Sequence, residues 1–178
     1  METFWQYGYE ATSLTLLKAA MGINSPSLYA AFGNKDALFT QAITLYLNKY
    51  GAYREAALIQ APTAREGIKI LFEQTLDLFF SSEHHRGCLV VLSALTGSQD
   101  SQPIRTMLRE ERRKTARLFE QRLQADLHEG DNSQDQKARI LAEYFTTVLF
   151  GLSVQVKDGV SRQEAQHIVD LALTVLDQ

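Results

Sequence analysis

Apolar residues recur along the chain at spacings of three and four, and no set of alternating runs accompanies them, so the pattern predicts helices throughout. In the first fifty residues the helices are short. Leu14, Leu17 and Met21 fall at i, i+3 and i+7, with Thr12 or Ser13 ahead of them as a cap and Gly22 just past the last turn as a stop. Asn24 caps a second helix, and Pro26 sits in its first turn, where the missing N–H is no loss. Leu28 and Phe32 share the inner face of that helix, and Gly33 ends it. Asn34 caps a third, carrying Leu38, Phe39, Ala42, Ile43 and Tyr46, which reads as continuous from Lys35 to about Gln60.

Longer helices follow. Pro62 and Thr63 open one through Ile68, Leu71, Phe72, Leu76 and Phe79. Gly87 to Leu95 reads as a short apolar helix, and Gly97 to Ser101 as a polar loop. Pro103 opens a charged helix to about His128, with a second loop over Glu129 to Ser133. Asp135 to about Lys157 is helical and apolar on most sides, and Gly159 breaks it. The capping-box spacing of Ser161 and Glu164 starts a last helix to Leu176. The fold class is therefore all-α. An N-terminal three-helix module with a helix-turn-helix occupies residues 1–48, and a C-terminal helical bundle with a two-helix dimerisation face occupies 49–178.

Composition changes this picture little. With 178 residues, 45% hydrophobic and 22% charged, the chain can bury a core without metal or disulfide help. Cys88 stands alone, so no intrachain disulfide forms. The start lacks a basic segment followed by an apolar one, and no run of about 18 apolar residues exists, which predicts a cytoplasmic protein. The net charge of −3 does not advertise a nucleic-acid binder. In residues 1–50, Lys18, Lys35 and Lys49 are balanced by Glu2, Glu10 and Asp36. HExxH, GxSxG and glycine-rich phosphate loops are missing, so an enzyme is not expected. In His84-His85-Arg86-Gly87-Cys88 the adjacent histidines do not easily share one ion. They read as solvated loop residues beside a buried cysteine, with no metal and no cofactor.

Function comes from specific residues. The strings Gly8-Tyr9-Glu10-Ala11-Thr12-Ser13 and Met21-Gly22-Ile23-Asn24-Ser25-Pro26-Ser27-Leu28-Tyr29-Ala30-Ala31-Phe32-Gly33-Asn34-Lys35-Asp36-Ala37-Leu38-Phe39 closely resemble the DNA-binding region of TetR/AcrR regulators. The resemblance covers roughly residues 1–50. Arg86-Gly87-Cys88-Leu89 also resembles a segment of one branch of that family. The resemblance implies a phosphate at Thr12 and Ser13, base contacts at Ser25, Pro26 and Ser27, a groove-facing Tyr29 and a phosphate at Lys35. The recognition turn departs from strong readers in having no Arg, Lys, Asn or Gln, so specificity leans on DNA shape. The family's first helix also begins upstream of Phe4 and Trp5, so this one reads as truncated.

The last two long helices are apolar on more than one face, which predicts a homodimer through Ile140, Phe150, Val154, Ile168, Ala172, Leu173 and Leu176. An effector cavity is expected among Phe72, Thr75, Leu76, Phe79 and Cys88, together with Leu92, Met107, Phe119, Tyr144 and Phe145. The implied function is a repressor that binds double-stranded operator DNA as a dimer and is released by a small, largely apolar effector. The alternative is a helical dimeric sensor that has lost DNA binding through its shortened first helix.

Overall fold

Capping side chains set the helix boundaries of the N-terminal module. Ser13 Oγ accepts from Leu16 N–H at 3.1 Å, Asn24 Oδ1 from Ser27 N–H at 2.9 Å, and Asn34 Oδ1 from Ala37 N–H at 2.8 Å. They start α2 (Leu14–Met21), α3 (Ser25–Phe32) and α4 (Lys35–Tyr50). Ahead of them lies α1 (Glu2–Ala11), kinked at Gly8, where φ is +74°. Glycine is required there twice over. The left-handed φ excludes most side chains, and a Cβ would stand 3.1 Å from the Ser93 carbonyl oxygen.

The computed structural model describes residues 1–81, 86–126 and 132–177, the side chain of Asn132 excepted. The bundle comprises α5 (Tyr53–Gln60), α6 (Ala64–Phe80), α7 (Leu89–Leu92), α8 (Gln102–Asp126), α9 (Asn132–Lys157) and α10 (Arg162–Leu173). A 3₁₀ turn, Thr174–Asp177, ends the described chain. Among the described residues no strand occurs. The expected capping box is present, with Ser161 accepting from Glu164 N–H and the Glu164 carboxylate accepting from Ser161 N–H.

Several boundaries differ from the sequence expectation, and α9 begins at Asn132, inside the loop expected over Glu129 to Ser133. The helix read from Lys35 to Gln60 is two helices, because Gly51 ends α4. Its N–H reaches the Leu47 carbonyl at 2.8 Å, and a Cβ at Gly51 would lie 2.6 Å from that same oxygen. The apolar stretch Gly87–Leu95 supports only the single turn of α7. The last α-helix stops at Leu173, with its axis tightened into the 3₁₀ turn beyond.

Two buried clusters organise the interior. The first gathers Phe4, Trp5, Leu17, Leu28, Phe39 and Tyr46 of the N-terminal head with Phe79, Leu89, Val91, Leu108 and Val156 of the bundle. The second is wholly within the bundle and includes Leu58, Phe72, Phe119, Phe145 and Val169. The first cluster crosses the boundary drawn at residue 48, so the head is packed onto the bundle. Directional bonds add to that packing. Trp5 Nε1 donates to the Gly87 carbonyl at 2.8 Å, Tyr9 N–H to the Ser93 carbonyl at 2.9 Å, and Lys157 Nζ to the Gln6 carbonyl at 3.4 Å.

Candidate functional site

The head presents α3 on its surface. Leu28 is buried on the inner face and Phe32 half-buried beside it, as their i, i+4 spacing requires. Pro26, Ser27 and Tyr29 are exposed on the outer side, Tyr29 at 48%. Ser25 is half-buried and receives a hydrogen bond from Lys18 Nζ at 3.0 Å. Lys18 thus supplies the cation that the recognition turn lacks in sequence. In sequence it belongs to the preceding helix, seven residues away, so the turn's own string does not contain it. Ser13 is exposed at the N-terminus of α2, where free N–H groups favour an anion.

Two positions behave differently from the expectation. Thr12 is buried, and its hydroxyl donates to the Gly8 carbonyl at 2.5 Å, so it braces the kink of α1 and is turned away from any phosphate. Lys35 folds back over the Tyr9 ring at 4.3 Å from the centroid, 3.5 Å from the Glu10 carbonyl oxygen. Burial pulls its pKa below the ordinary value, against the nearby Glu10 and Asp36 carboxylates. Tyr9 in turn donates its hydroxyl to Asp36, and burial followed by that carboxylate raises the phenol pKa. These contacts lock α1 to the start of α4 beneath α3.

Behind the head, the expected cavity residues divide. Phe72, Leu76, Phe119 and Phe145 are fully buried, and the three phenyl rings lie 6.0 to 6.4 Å apart between centroids. They pack against one another in the second cluster. Tyr144 is 38% exposed and stands on the outer surface of α9, away from the three packed rings' inner side. Leu92 and Met107 are half-buried against the first cluster. Thr75, Phe79 and Cys88 do meet, around a chamber of about 10 Å³ shared with Arg54, Val91, Leu149 and Phe150. That is space for about one water.

Around this chamber runs a set of polar contacts that the sequence did not announce. Tyr46 Oη donates to Cys88 Sγ at 3.4 Å, the Cys88 N–H donates to Ser153 Oγ at 2.7 Å, and the Tyr53 and Thr75 hydroxyls are 2.7 Å apart. Arg54 reaches Cys88 Sγ at 3.8 Å. Burial opposes the Arg54 charge, but Cys88, Tyr53 and Tyr46 around it favour the charge more, and the guanidinium is held above its ordinary pKa. Tyr46 is pushed well above the usual phenol range, chiefly by burial. The pair His84-His85 lies outside the described residues, and among the described residues no cluster of metal-ligating side chains forms.

The outer face of α9 and α10 carries a separate feature. Ile140, Tyr144, Gly151 and Val154 recur at four, seven and three residues along one exposed side of α9, and Ile168 and Leu171 are exposed on α10. Leu171 is 72% exposed. Ala172 and Leu173, expected at the same face, are buried in the monomer core because they lie on the side of α10 turned to α6 and α9. Phe150 is half-buried between the two clusters and walls the chamber, and Leu176 packs against the second cluster.

The sequence model for bacterial regulatory proteins of the tetR family matches residues 1–42. The HTH-type transcriptional repressor ComR of Escherichia coli strain K12 is 30% identical over 174 residues, spanning 97% of this chain and 83% of ComR. The HTH-type regulator YezE of Bacillus subtilis strain 168 is 28% identical over 178 residues, spanning 99% of this chain and 92% of YezE. Among solved structures, a cysteine variant of the TetR family regulator CifR, complexed with 26-base-pair operator DNA, matches with a TM-score of 0.91 and 47% identity. That match covers 97% of this chain and 91% of CifR. Among the described residues no helix is long and apolar enough to cross a membrane. Head, bundle and sequence agree over nearly the full length of these relatives, and the chain belongs to the TetR family of helix-turn-helix transcriptional regulators.

Proposed function

We propose that this regulator is a repressor that binds operator DNA as a two-fold dimer and leaves it when a small effector occupies the bundle. The observation that carries the reading is the outward first turn of α3. Pro26, Ser27 and Tyr29 stand free on a head whose inner side is closed by Leu17, Leu28 and Phe39, with Lys18 braced against Ser25. A recognition helix docks in the major groove by that turn, while the preceding helix meets the backbone. The CifR complex with operator DNA and the repressor designation of ComR support the assignment by likeness.

DNA contacts are assigned to Ser13, Lys18, Ser25, Pro26, Ser27 and Tyr29, and to Lys35 once its side chain swings off the Tyr9 ring to meet a phosphate. Thr12 keeps its hydroxyl inside. The apolar stripe of Ile140, Tyr144, Val154, Ile168 and Leu171 is the dimer face. A dimer spaces its two recognition helices about 34–36 Å apart, or by a multiple of a DNA turn. An effector that favours another spacing releases DNA through its differential affinity for the two arrangements.

Selection from a random-sequence duplex library tests the reading. Recovered DNA should contain two half-sites at that spacing. Tyr29→Ala and Lys18→Ala should weaken its binding, and Lys35→Ala should do so evenly across sequences while reducing the salt slope by about one unit. Light scattering should give twice the chain mass for the parent and the monomer mass for Leu171→Glu. A chain that enriches no sequence at low salt, yet remains a dimer, is the sensor without DNA binding that the neutral charge of residues 1–50 allows.

A further inference from the structure

Arg54 is unusual among the basic residues. Arg65 pairs with Asp177 at 2.9 Å, Arg122 with Asp126 at 2.6 Å, and Arg162 with Asp77. Arg54 forms no ion pair with any carboxylate among the described residues, its Nε is buried without a hydrogen-bond partner, and its other side-chain hydrogen bonds run to the Cys88 thiol and the Tyr53 hydroxyl. A buried guanidinium is tolerated when a counter-charge and hydrogen-bond acceptors satisfy it. Here no carboxylate among the described residues supplies the counter-charge, and the Nε donor is left open.

Arg54 also stands on a partition. On its inner side is the small chamber with Thr75 and Cys88. On its outer side is a groove of about 370 Å³ between the corner joining α4 to α5 and the middle of α8, walled by Leu47, Gly51, Lys114, Thr115 and Leu118. That volume suits a small organic ligand. Two carboxylates share the groove. Glu111 is neutralised by Lys114 at 2.6 Å, and Glu55 lies on the exposed rim of α5.

We infer that this groove is the effector site and that it takes a small organic carboxylate whose anionic head binds the Arg54 guanidinium. The inference rests on the reading of the chain as an effector-responsive regulator and specifies the chemistry of its effector. A planar carboxylate matches the two-donor edge of a guanidinium, a geometry that an alcohol or amide does not reproduce. Leu47 and Leu118 give the ligand's body an apolar bed. The site also abuts the last turn of α4, the helix that begins under the recognition helix. A short path leads back to the head, since Tyr46 touches Cys88 and its ring meets the Trp5 ring edge-on at 4.8 Å.

Trp5 is the single tryptophan, so its emission reports on this path. The experiment titrates the intact protein with hexanoate and benzoate, and with the neutral hexanamide and benzamide, by calorimetry and Trp5 fluorescence. The carboxylates should bind at least about tenfold tighter than the matched amides, as a charge-assisted pair implies. Arg54→Met should bring carboxylate affinity down to the amide level, and Arg54→Lys should retain part of the preference. Should Arg54→Met not fold, Leu118→Trp fills the outer groove with Arg54 intact and should block carboxylate binding. Carboxylates that bind no tighter than amides, that give no heat or emission change at millimolar concentration, or that bind unchanged in the folded variants overturn the site. Binding of library-selected DNA is measured in the same buffer. DNA binding without carboxylate preference rejects the site and leaves the regulator reading standing, whereas carboxylate binding without DNA binding does the reverse.

Discussion

The two buried clusters are built from different chemistry. The bundle's own cluster is apolar, with Phe72, Phe119 and Phe145 packed ring to ring among leucines, valines and alanines. The cluster that joins head to bundle is aromatic but polar at its edges. Trp5 is bonded to the Gly87 carbonyl, Tyr9 to Asp36, and Tyr46 to Cys88. Apolar packing is strong and indifferent to direction, whereas hydrogen bonds are individually modest and fix orientation. The apolar cluster therefore serves as a frame. The polar one is a joint whose few bonds hold the head at one angle and can be exchanged at small cost.

The contrast predicts effects of very different size. Phe119→Ala removes a fully buried ring from the frame and should lower stability by about 3–5 kcal/mol in urea unfolding. Trp5 emission of the folded variant should be unchanged, since the joint is untouched. A loss below about 1 kcal/mol would mean that the frame is looser than its ring contacts indicate.

Trp5→Phe strikes the joint. It deprives the Gly87 carbonyl of a donor held at 2.8 Å, and a loss of about 1–3 kcal/mol is expected. The damage should be local. Hydrogen exchange should accelerate at the Tyr9 N–H, which is bonded to Ser93 across the same interface, before it accelerates in α6. Equal acceleration in both places would erase the distinction between frame and joint. Tyr46→Phe removes only a hydroxyl bonded to sulfur, a weak acceptor, and should lower stability by about 0.5–1.5 kcal/mol while leaving the frame's exchange rates as they were.

The parts of this arrangement that were legible in the sequence are the local ones. Asn24, Asn34 and Ser161 cap helices because a cap concerns only the next three residues, and Leu28 faces inward because helical spacing puts it there. The outward turn of Ser25, Pro26 and Ser27 follows from the same local rules. What sequence missed depends on contacts far along the chain. Thr12 turns inward because Gly8 kinks α1 against Ser93, more than eighty residues away in sequence. Tyr144, Ala172 and Leu173 were misplaced because a helix apolar on several sides does not declare which side meets its own core. Arg54 carries no local signal of its burial, since an arginine on a short amphipathic helix ordinarily lies in water.

The smallest expected effect concerns the acid side of the joint. Glu10, at the end of α1, accepts from the Ser98 backbone N–H at 3.2 Å and so ties the head to the loop before α8. Its carboxyl is held below the ordinary 4.5, first by the Ser101 hydroxyl, then, against a small burial penalty, by Ser98 N–H, Lys35 and Arg105. The folded pKa is thus lower than the unfolded one. The contribution of this tie is fully present above the ordinary value and is lost as pH falls through the folded value. Because Glu10 is almost fully exposed, the loss should be slight and confined to the joint. Trp5 emission should then change at a higher pH than far-ultraviolet dichroism, which follows the helices as a whole. Glu164, bonded to Ser161, and Asp177, paired with Arg65, are likewise held low and also release their bonds in acid, but both lie on the bundle. Glu10→Gln separates the contributions. It should remove the early Trp5 step and leave the dichroism profile in place. An early step that survives Glu10→Gln would assign the acid sensitivity of the joint to another group, and coincident transitions in the parent would show that head and bundle open together.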